Sequence, residues 1–403
     1  MRKLVFKGYD HRVWVLFTSR LIDGIGFSIV GPFLALFMYQ GLGIPMVVVG
    51  LVLLISGIAG AAGSLIGGLM ADRYGRLGIM TYSMILRCLM FLLLAGLVAY
   101  WPDILVISLV VSLSMFFGGV FDPANNAMVA DVVEPARRLE AYGLLRVAWN
   151  LGFAFGPMIG GILLVFSYSL TFLVSALISL VAGLVVAFML TESYQPGPTK
   201  ERFTVVKELR NVKVLFLVFC IVCIPMFLMS GQFSTTYTVY ANERVHIDTL
   251  TIGLVFGLNG IMVVLLQMPL ARALEKRDKY LAMTLGTTLY AVGYFFVAGV
   301  TDGITLAMTM VVITVGEMIV VPVSTDLTVS MSSESERGKY LGIFGLIGSF
   351  GWFGSTLVGG ILYDNLSNGW WFWGSISSMG LVTAVAMVFL WTKGRPTRAK
   401  IRD

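Results

Sequence analysis

Charge is what this chain has least of. Asp, Glu, Lys and Arg make up 12% of its 403 residues, about half the share in a typical soluble domain. So little polarity cannot coat a water-facing fold of this size, and no polar stretch is long enough for a soluble catalytic domain, so an enzyme is not expected. Cysteine is scarce too, with three residues, which excludes a disulfide scaffold. Cys220 and Cys223 stand as C-x-x-C inside an apolar run, on one face of a helix, where packing is the expected role; Cys88 is alone. The two histidines, His11 and His246, flank apolar runs, so no His-based metal centre is expected. There is no G-x-x-x-x-G-K-[ST] phosphate loop. Without a nucleotide site or other cofactor, energy for any work must come from an ion gradient.

Long apolar runs are what the chain has instead. About twelve stretches of roughly 20 residues or more, each able to cross about 30 Å of hydrocarbon as a helix, lie near 13–39, 46–70, 77–99, 104–130, 140–166, 169–190, 213–240, 250–270, 280–300, 304–331, 340–363 and 370–392. Basic residues fall on one side of this row. The N-terminus, the even-numbered connections and the C-terminal tail hold 24 of the 28 Lys and Arg. The odd connections hold Arg244 alone, and Arg20, Arg87 and Arg146 lie inside apolar runs. That bias predicts a multi-pass protein of the inner or plasma membrane with both termini in the cytoplasm. The net charge of +6 is this excess; it suggests contact with anionic lipid rather than a nucleic-acid partner. The first run holds Arg20 and Asp23 and lacks a small-residue cleavage site, so it is expected to stay in the protein.

The two halves repeat. An offset of 199 maps Pro123 onto Pro322, Arg138 onto Arg337, Gly143 onto Gly342, Gly152 onto Gly351, and Gly160-Gly161-Ile162-Leu163 onto Gly359-Gly360-Ile361-Leu362. Nearer the start of each half, Gly50-Leu51-Val52 with Gly57 matches Gly253-Leu254-Val255 with Gly260 at an offset of 203. Six plus six helices starting on the same side form a parallel repeat. The expected organisation is an N-terminal bundle over 1–190, a cytoplasmic linker over 191–212 with a short amphipathic helix, and a C-terminal bundle over 213–403. Such repeats place a site near the bilayer midplane.

The second connection reads Gly68-Leu69-Met70-Ala71-Asp72-Arg73-Tyr74-Gly75-Arg76. Gly68 allows close helix packing, Asp72 ends a helix, Gly75 permits a tight turn, and Arg73 and Arg76 face the cytoplasm, with Asp131 a natural partner for one of them. The fifth run reads Gly152-Phe153-Ala154-Phe155-Gly156-Pro157-Met158-Ile159-Gly160-Gly161, a smooth glycine face bent by proline. The first resembles the G-x-x-x-D-[RK]-x-G-[RK] signature of the major facilitator superfamily. The second resembles the G-x-x-x-G-P-x-x-G-G motif of its 12-helix drug:proton antiporters, the multidrug efflux subfamily. Gly26 and Pro32 add a weaker likeness in the first run. The resemblance covers the whole chain. It implies an all-α integral membrane fold of 12 transmembrane helices in two pseudo-symmetric six-helix bundles, with Gly68, Asp72, Arg73, Gly75, Arg76 and Asp131 as a cytoplasmic gate. One feature departs. Family members often carry an arginine in the middle of the fourth helix, tied to proton coupling. Here that stretch is Ser112-Leu113-Ser114-Met115-Phe116-Phe117-Gly118-Gly119, without an arginine, so the usual coupling arrangement does not carry over: either Arg87 or Arg146 takes its place, or coupling differs.

Ionisable groups within spans are costly and usually functional. Seven occur here: Arg20, Asp23, Arg87, Asp122, Arg146, Glu317 and Asp326. At ~1.5 Å per residue, Asp23 and Glu317 both fall near the midplane, one in each half. Asp122 and Arg146 share a depth on consecutive helices and are expected to pair. Asp326 is shallower and should meet a cytoplasmic-side base. No Lys or Arg lies near Glu317 in its own helix, so it is the first choice for proton carrier, with Asp23 or Asp122 assisting. The resemblance also implies which helices line a cavity. Along them Phe27, Tyr142, Arg146, Asn150, Gln232, Tyr237 and Asn259 are the candidate substrate contacts, with Trp149 among the neighbouring aromatics. The expected function is a monomeric, proton-coupled antiporter that exports amphipathic or cationic small molecules by alternating access. Export of a sugar, metabolite or lipid on the same fold, or a non-transporting sensor or scramblase, are the competing readings.

Overall fold

The computed structural model describes residues 9–194, 212–275, 277–333 and 336–399. Twelve helices in it are long and apolar enough to cross a membrane, and they follow the order read from the apolar runs. They are α1 (His11–Leu36), α2 (Met46–Tyr74), α3 (Arg76–Tyr100), α4 (Ile104–Val132), α5 (Arg138–Phe166), α6 (Tyr168–Met189), α7 (Val214–Ser230), α8 (Thr249–Leu274), α9 (Lys279–Phe296), α10 (Gly303–Met331), α11 (Arg337–Asn365) and α12 (Gly369–Ala399). The expected linker helix falls on 195–211, outside the described residues.

Helix starts are set by side-chain caps. Asp103 accepts from Val106 N at 3.0 Å, Ser167 from Leu170 N at 3.0 Å, and Asp302 forms a capping box with Thr305. Each satisfies amide groups that the helix itself leaves open. Prolines sit within α1, α4, α5, α7, α8 and α10, where neighbouring helices can accommodate the lost backbone bond.

The repeat is structural as well as sequential. α1 ends in a π-helical turn over Phe37–Gly41, and the segment after α7 ends in another over Tyr240–Arg244, 203 residues on. The dominant helix pairs of the first half are α1 with α5, α3 with α6, α3 with α4, and α1 with α6. Their counterparts, α7 with α11, α9 with α12, α9 with α10, and α7 with α12, recur in the second.

The chain divides into two compact units, but not at the linker alone. Unit 1 holds residues 1–43, 52–198 and 248–260; unit 2 holds 44–51, 199–247 and 261–403. The expected bundles over 1–190 and 213–403 therefore each give up one short segment, the start of α2 and the start of α8. Glycine is the reason. Gly50 lies against the Thr356–Leu357 backbone within unit 2, and Gly253 against Pro157 within unit 1. The glycines that marked the repeat are thus close-approach points. Asp364 caps the start of α2, accepting from Met46 N at 3.1 Å and Val47 N at 2.8 Å.

Arg244, the exception to the charge bias, has a local role in unit 2. Its guanidinium donates to Leu366 O, Ser367 O and Tyr363 O at 2.8–3.0 Å, closing the end of α11. It also lies 4.2 Å from the centre of the Tyr363 ring. Arg244→Ala strands three carbonyls and should lower the thermal unfolding temperature in detergent, by the equivalent of about 1–3 kcal/mol. An unchanged melting curve would show that water satisfies those carbonyls equally well.

Candidate functional site

Unit 1 carries four charged side chains in contact near the middle of its helices. Asp23 on α1 is 4% exposed and Arg87 on α3 is 3% exposed. Arg87 Nη1 donates to Asp23 Oδ1 at 2.5 Å. Arg20, one turn before Asp23, lies 3.3 Å from Asp23 Oδ2 and uses both terminal nitrogens on the Asp122 carboxylate of α4, Nη2 reaching Oδ2 at 3.2 Å. Two arginines and two aspartates leave no net charge. Pairing of this kind makes burial tolerable, because an unpaired ion in this setting costs several kcal/mol.

Aromatic rings complete the site. The Arg20 guanidinium lies over the Trp149 ring at 4.2 Å, and Arg87 lies near Phe27 and Phe91 at 5.6 and 5.5 Å. Trp149, Phe27 and Phe153 stand in mutual contact, with centroids 5.6–6.1 Å apart. Gly118 makes room for the second arginine: a Cβ there would stand 3.1 Å from Arg87 Cζ. The fourth helix thus lacks an arginine of its own but receives the guanidinium of Arg87 at its middle.

The expected pairing of Asp122 with Arg146 is incorrect. Arg20 holds Asp122, while Arg146 is exposed and makes no ion pair among the described residues. Equal depth on consecutive helices says nothing about which way each helix faces, and α5 turns Trp149 rather than Arg146 toward Asp122's partner. Asp326 meets a base as expected, with Lys279 Nζ at 2.7 Å. That pair borders a cavity of about 290 Å3 in unit 2, also lined by Arg272, Glu275, Met268 and Pro322.

The residues of the loop signature come together around Arg76. Its guanidinium reaches Asp72 at 3.2 Å and Asp131 at 3.1 Å, and donates to Ala71 O at 2.5 Å. Gly75 has φ +99°, open to glycine at little cost. Gly68 faces Pro123 of α4, where an added Cβ would stand 3.6 Å from the proline, and Arg73 stands over the Tyr74 ring at 5.2 Å. Three residues that sequence reading assigned to the linker join this cluster. Glu192 accepts from Arg76 N and Leu77 N at 3.0 Å, capping α3; Ser193 donates to Asp131 at 2.8 Å; the Tyr194 ring lies 4.8 Å from the Arg76 guanidinium. Partial burial pushes the Glu192 carboxyl up, but the N–H groups of Tyr194, Arg76, Leu77 and Ser193 outweigh it and hold the group below its ordinary range. The one sequence signal was an acid just past the end of a helix, which the basic run after it obscured.

The glycine-rich motif of α5 packs on α1 within unit 1. Gly152 faces Gly24, where a Cβ would come within 2.8 Å of its Cα. Gly156 faces Ser28, Gly160 faces Ile29, and Gly161 meets Thr249, while Pro157 presents its carbonyl to Gly253. Small residues here let α1 approach α5 closely enough to hold Trp149 beside Arg20.

In unit 2, Glu317 is half-buried, fourteen residues from either end of α10. Gly316 beside it abuts the backbone of Tyr290 on α9, and Glu317 is within electrostatic reach of Tyr290 and Tyr294. Tyr290 and Glu317 are the repeat mates of Arg87 and Gly118, at offsets of 203 and 199. The same helix contact therefore carries a cation in unit 1 and an acid in unit 2.

The expected substrate contacts divide. Phe27 and Asn150 are half-buried, Tyr142 and Arg146 are exposed, and Asn259 is buried. Gln232 and Tyr237 do not fit the expectation: both are 0% exposed. Gln232 donates to Ser355 O at 2.9 Å and accepts from Thr236, while Tyr237 donates to Leu306 O at 3.1 Å. They hold the irregular turn after α7, where the helix breaks at Gly231–Ser234. A sequence read as one continuous helix misplaces every face beyond such a break.

The family model of the Major Facilitator Superfamily matches residues 16–356. This chain belongs to that superfamily. It is 28% identical over 363 residues to the uncharacterized MFS-type transporter YttB of Bacillus subtilis, covering 87% of this chain and 88% of the relative. It is 26% identical to the multidrug resistance protein MdtH of Proteus mirabilis, covering 93% of each, and 24% identical to a Na(+), Li(+), K(+)/H(+) antiporter of Planococcus maritimus, covering 83% and 85%. Among solved structures it resembles a POT family transporter in complex with 5-aminolevulinic acid, at TM-score 0.80 and 14% identity, over 96% and 97% of the chains. Transport of a small molecule across a membrane is what this superfamily membership states.

In this superfamily member the Glu192 cap links the segment after α6 to the loop signature, and the link is pH-sensitive. Because the folded carboxyl titrates below its ordinary value, the stabilisation is present above that value and is lost as pH falls through the depressed one. Hydrogen-exchange protection at Arg76 and Leu77 should fall on that acid limb. Glu192→Ala should lower it roughly five- to tenfold at neutral pH, the worth of one N-cap, and remove the acid limb. Equal protection in the two proteins would assign the α3 start to Asp72 and Asp131 instead.

Proposed function

We propose that this chain is a proton-coupled exporter of amphipathic and cationic compounds that works by alternating access in the cell membrane, with both termini and the basic connections in the cytoplasm. The observation that carries the reading is the neutral quartet Arg20–Asp122–Asp23–Arg87. Charged groups at mid-span are retained where they bind ions or move protons. Here one carboxylate, Asp122, keeps 42% of its side chain open while Asp23 keeps 3%. A carboxylate that is paired and accessible can exchange its internal cation for an external one. The distant likeness to a multidrug resistance protein and to a cation/proton antiporter supports the same direction.

Glu317 is the proposed proton carrier. It sits at the centre of α10, and at the corresponding helix contact in unit 1 stands glycine, so its acid is not part of the repeated scaffold. A carboxyl that meets water in one state and is enclosed in the other binds its proton more tightly when enclosed. Glu317→Gln mimics the protonated form. In proteoliposomes it should abolish efflux driven uphill by a pH gradient while leaving downhill movement in place. Uphill pumping at the wild-type rate would make Glu317 structural and move the proton path to Asp23 and Asp122.

The orientation has its own test. In a background without Cys88, Cys220 and Cys223, a cysteine at Glu243 should react with an impermeant thiol reagent added outside intact cells, and one at Lys207 only after permeabilisation. Labelling of both from the same side would overturn the proposed orientation.

A further inference from the structure

Within unit 1, the surroundings of Arg20 have the composition of a binding site for a planar organic cation. Its guanidinium has a carboxylate at one edge, Asp122, held by both terminal nitrogens, and a second, Asp23, at 3.3 Å. Its face lies over an indole ring 4.2 Å away. Phe27 and Phe153 extend the aromatic wall beside that ring. A carboxylate fork with an aromatic face recognises guanidinium in particular, because that ion is flat, delocalised and able to donate two parallel hydrogen bonds. Asp23 has Arg87 as a second partner, at 2.5 Å. Arg20 can therefore leave without exposing Asp23 as a bare buried charge. Asp122 has no such second base within ion-pair distance among the described residues, so Arg20 is its countercharge.

We propose that Trp149, Asp122 and Asp23 form a site for guanidinium- and amidinium-bearing amphiphiles, and that Arg20 fills it in this structure as a tethered stand-in for that class of substrate. The proposal rests on the reading of the chain as an exporter of cationic compounds and narrows it to one substrate chemistry. Access fits the exchange: Arg20 is 17% open and Asp122 42% open, whereas Arg87 is 4% open and locked on Asp23. An incoming cation takes over the fork on Asp122 and the face of Trp149. Arg20 swings out as it enters, and the charge of the quartet is unchanged. The apolar part of such a ligand would lie along Phe27 and Phe153. An alkylammonium of the same size makes a point contact with Asp122 and cannot stack, so it competes less well.

Chemical complementation of Arg20→Ala tests this on the full-length protein in detergent, with no gradient imposed. Removing the side chain leaves Asp122 without its countercharge, so the melting temperature should fall. Millimolar methylguanidinium should restore it, with a preference of about tenfold or more over methylammonium. Trp149→Leu in the same background should erase the preference, and Asp122→Asn should erase the rescue. Should Arg20→Ala not yield folded protein, the wild type itself is read. An arylalkylguanidinium should change Trp149 fluorescence, measured as the difference from Trp149→Phe, at lower concentration than the matched arylalkylamine. Equal response to the two cations, no response to either, or a rescue that survives Asp122→Asn would overturn the proposal. The binding readout needs no proton gradient. Failure of pH-driven efflux with selective binding intact would count against the exporter reading alone, and efflux without selective binding against this inference alone.

Discussion

The contact between Asp23 and Arg87 is the constraint on which unit 1 depends. Each residue is almost wholly buried, and among the described residues Asp23 is the one carboxylate within ion-pair distance of Arg87, without which that guanidinium would be a bare buried charge. Their bond fixes which face α1 turns toward α3, and Gly118 fixes how closely α4 approaches the same guanidinium. Once α1 is set in this rotation, Arg20 falls on the Asp122 side and its glycines face α5. The glycines of α5 then bring Trp149 against Arg20. An ion pair of this kind adds little net stability over an apolar one, but it penalises every other rotation of the helices around it.

The repeat duplicates scaffold and not chemistry. Helix pairs and π turns recur at a fixed offset between the units. The charges do not. Arg20, Asp23 and Asp122 have Cys223, Met226 and Val321 at the corresponding positions, while Arg87 and Gly118 correspond to Tyr290 and Glu317. One unit therefore carries a neutral quartet with a cation at the α3–α4 contact, and the other carries an acid at the α9–α10 contact. On the proposed function this division separates cation recognition from proton carriage.

Much of this was legible in the sequence because membrane physics leaves few alternatives. Apolar run length and the one-sided basic residues yielded twelve spans, and the scarcity of mid-span charge singled out every member of the quartet. Pairing was not legible. Asp122 matched Arg146 in depth, but helix rotation, set by Asp23–Arg87 and by α5's glycines, chose Arg20. Gln232 and Tyr237 were misplaced because nothing in Gly231-Gln232-Phe233-Ser234 distinguishes a break from a flexible helix face. Glu192 was missed because its partners are backbone amides, which no side-chain pattern reveals. Gly50 and Gly253 were read as repeat markers, although the same lack of a side chain lets the start of α2 pack within unit 2 and the start of α8 within unit 1.

The most direct test of the central claim is a double-mutant cycle on Asp23 and Arg87, read by thermal unfolding. Asp23→Asn should destabilise strongly, by about 3–5 kcal/mol, since it leaves Arg87 as an uncompensated buried charge, and Arg87→Gln should destabilise less, since Arg20 still reaches Asp23 at 3.3 Å. The double variant, with no charge left at the contact, should be more stable than Asp23→Asn alone. Losses that simply add, or single variants as stable as the wild type, would contradict the account.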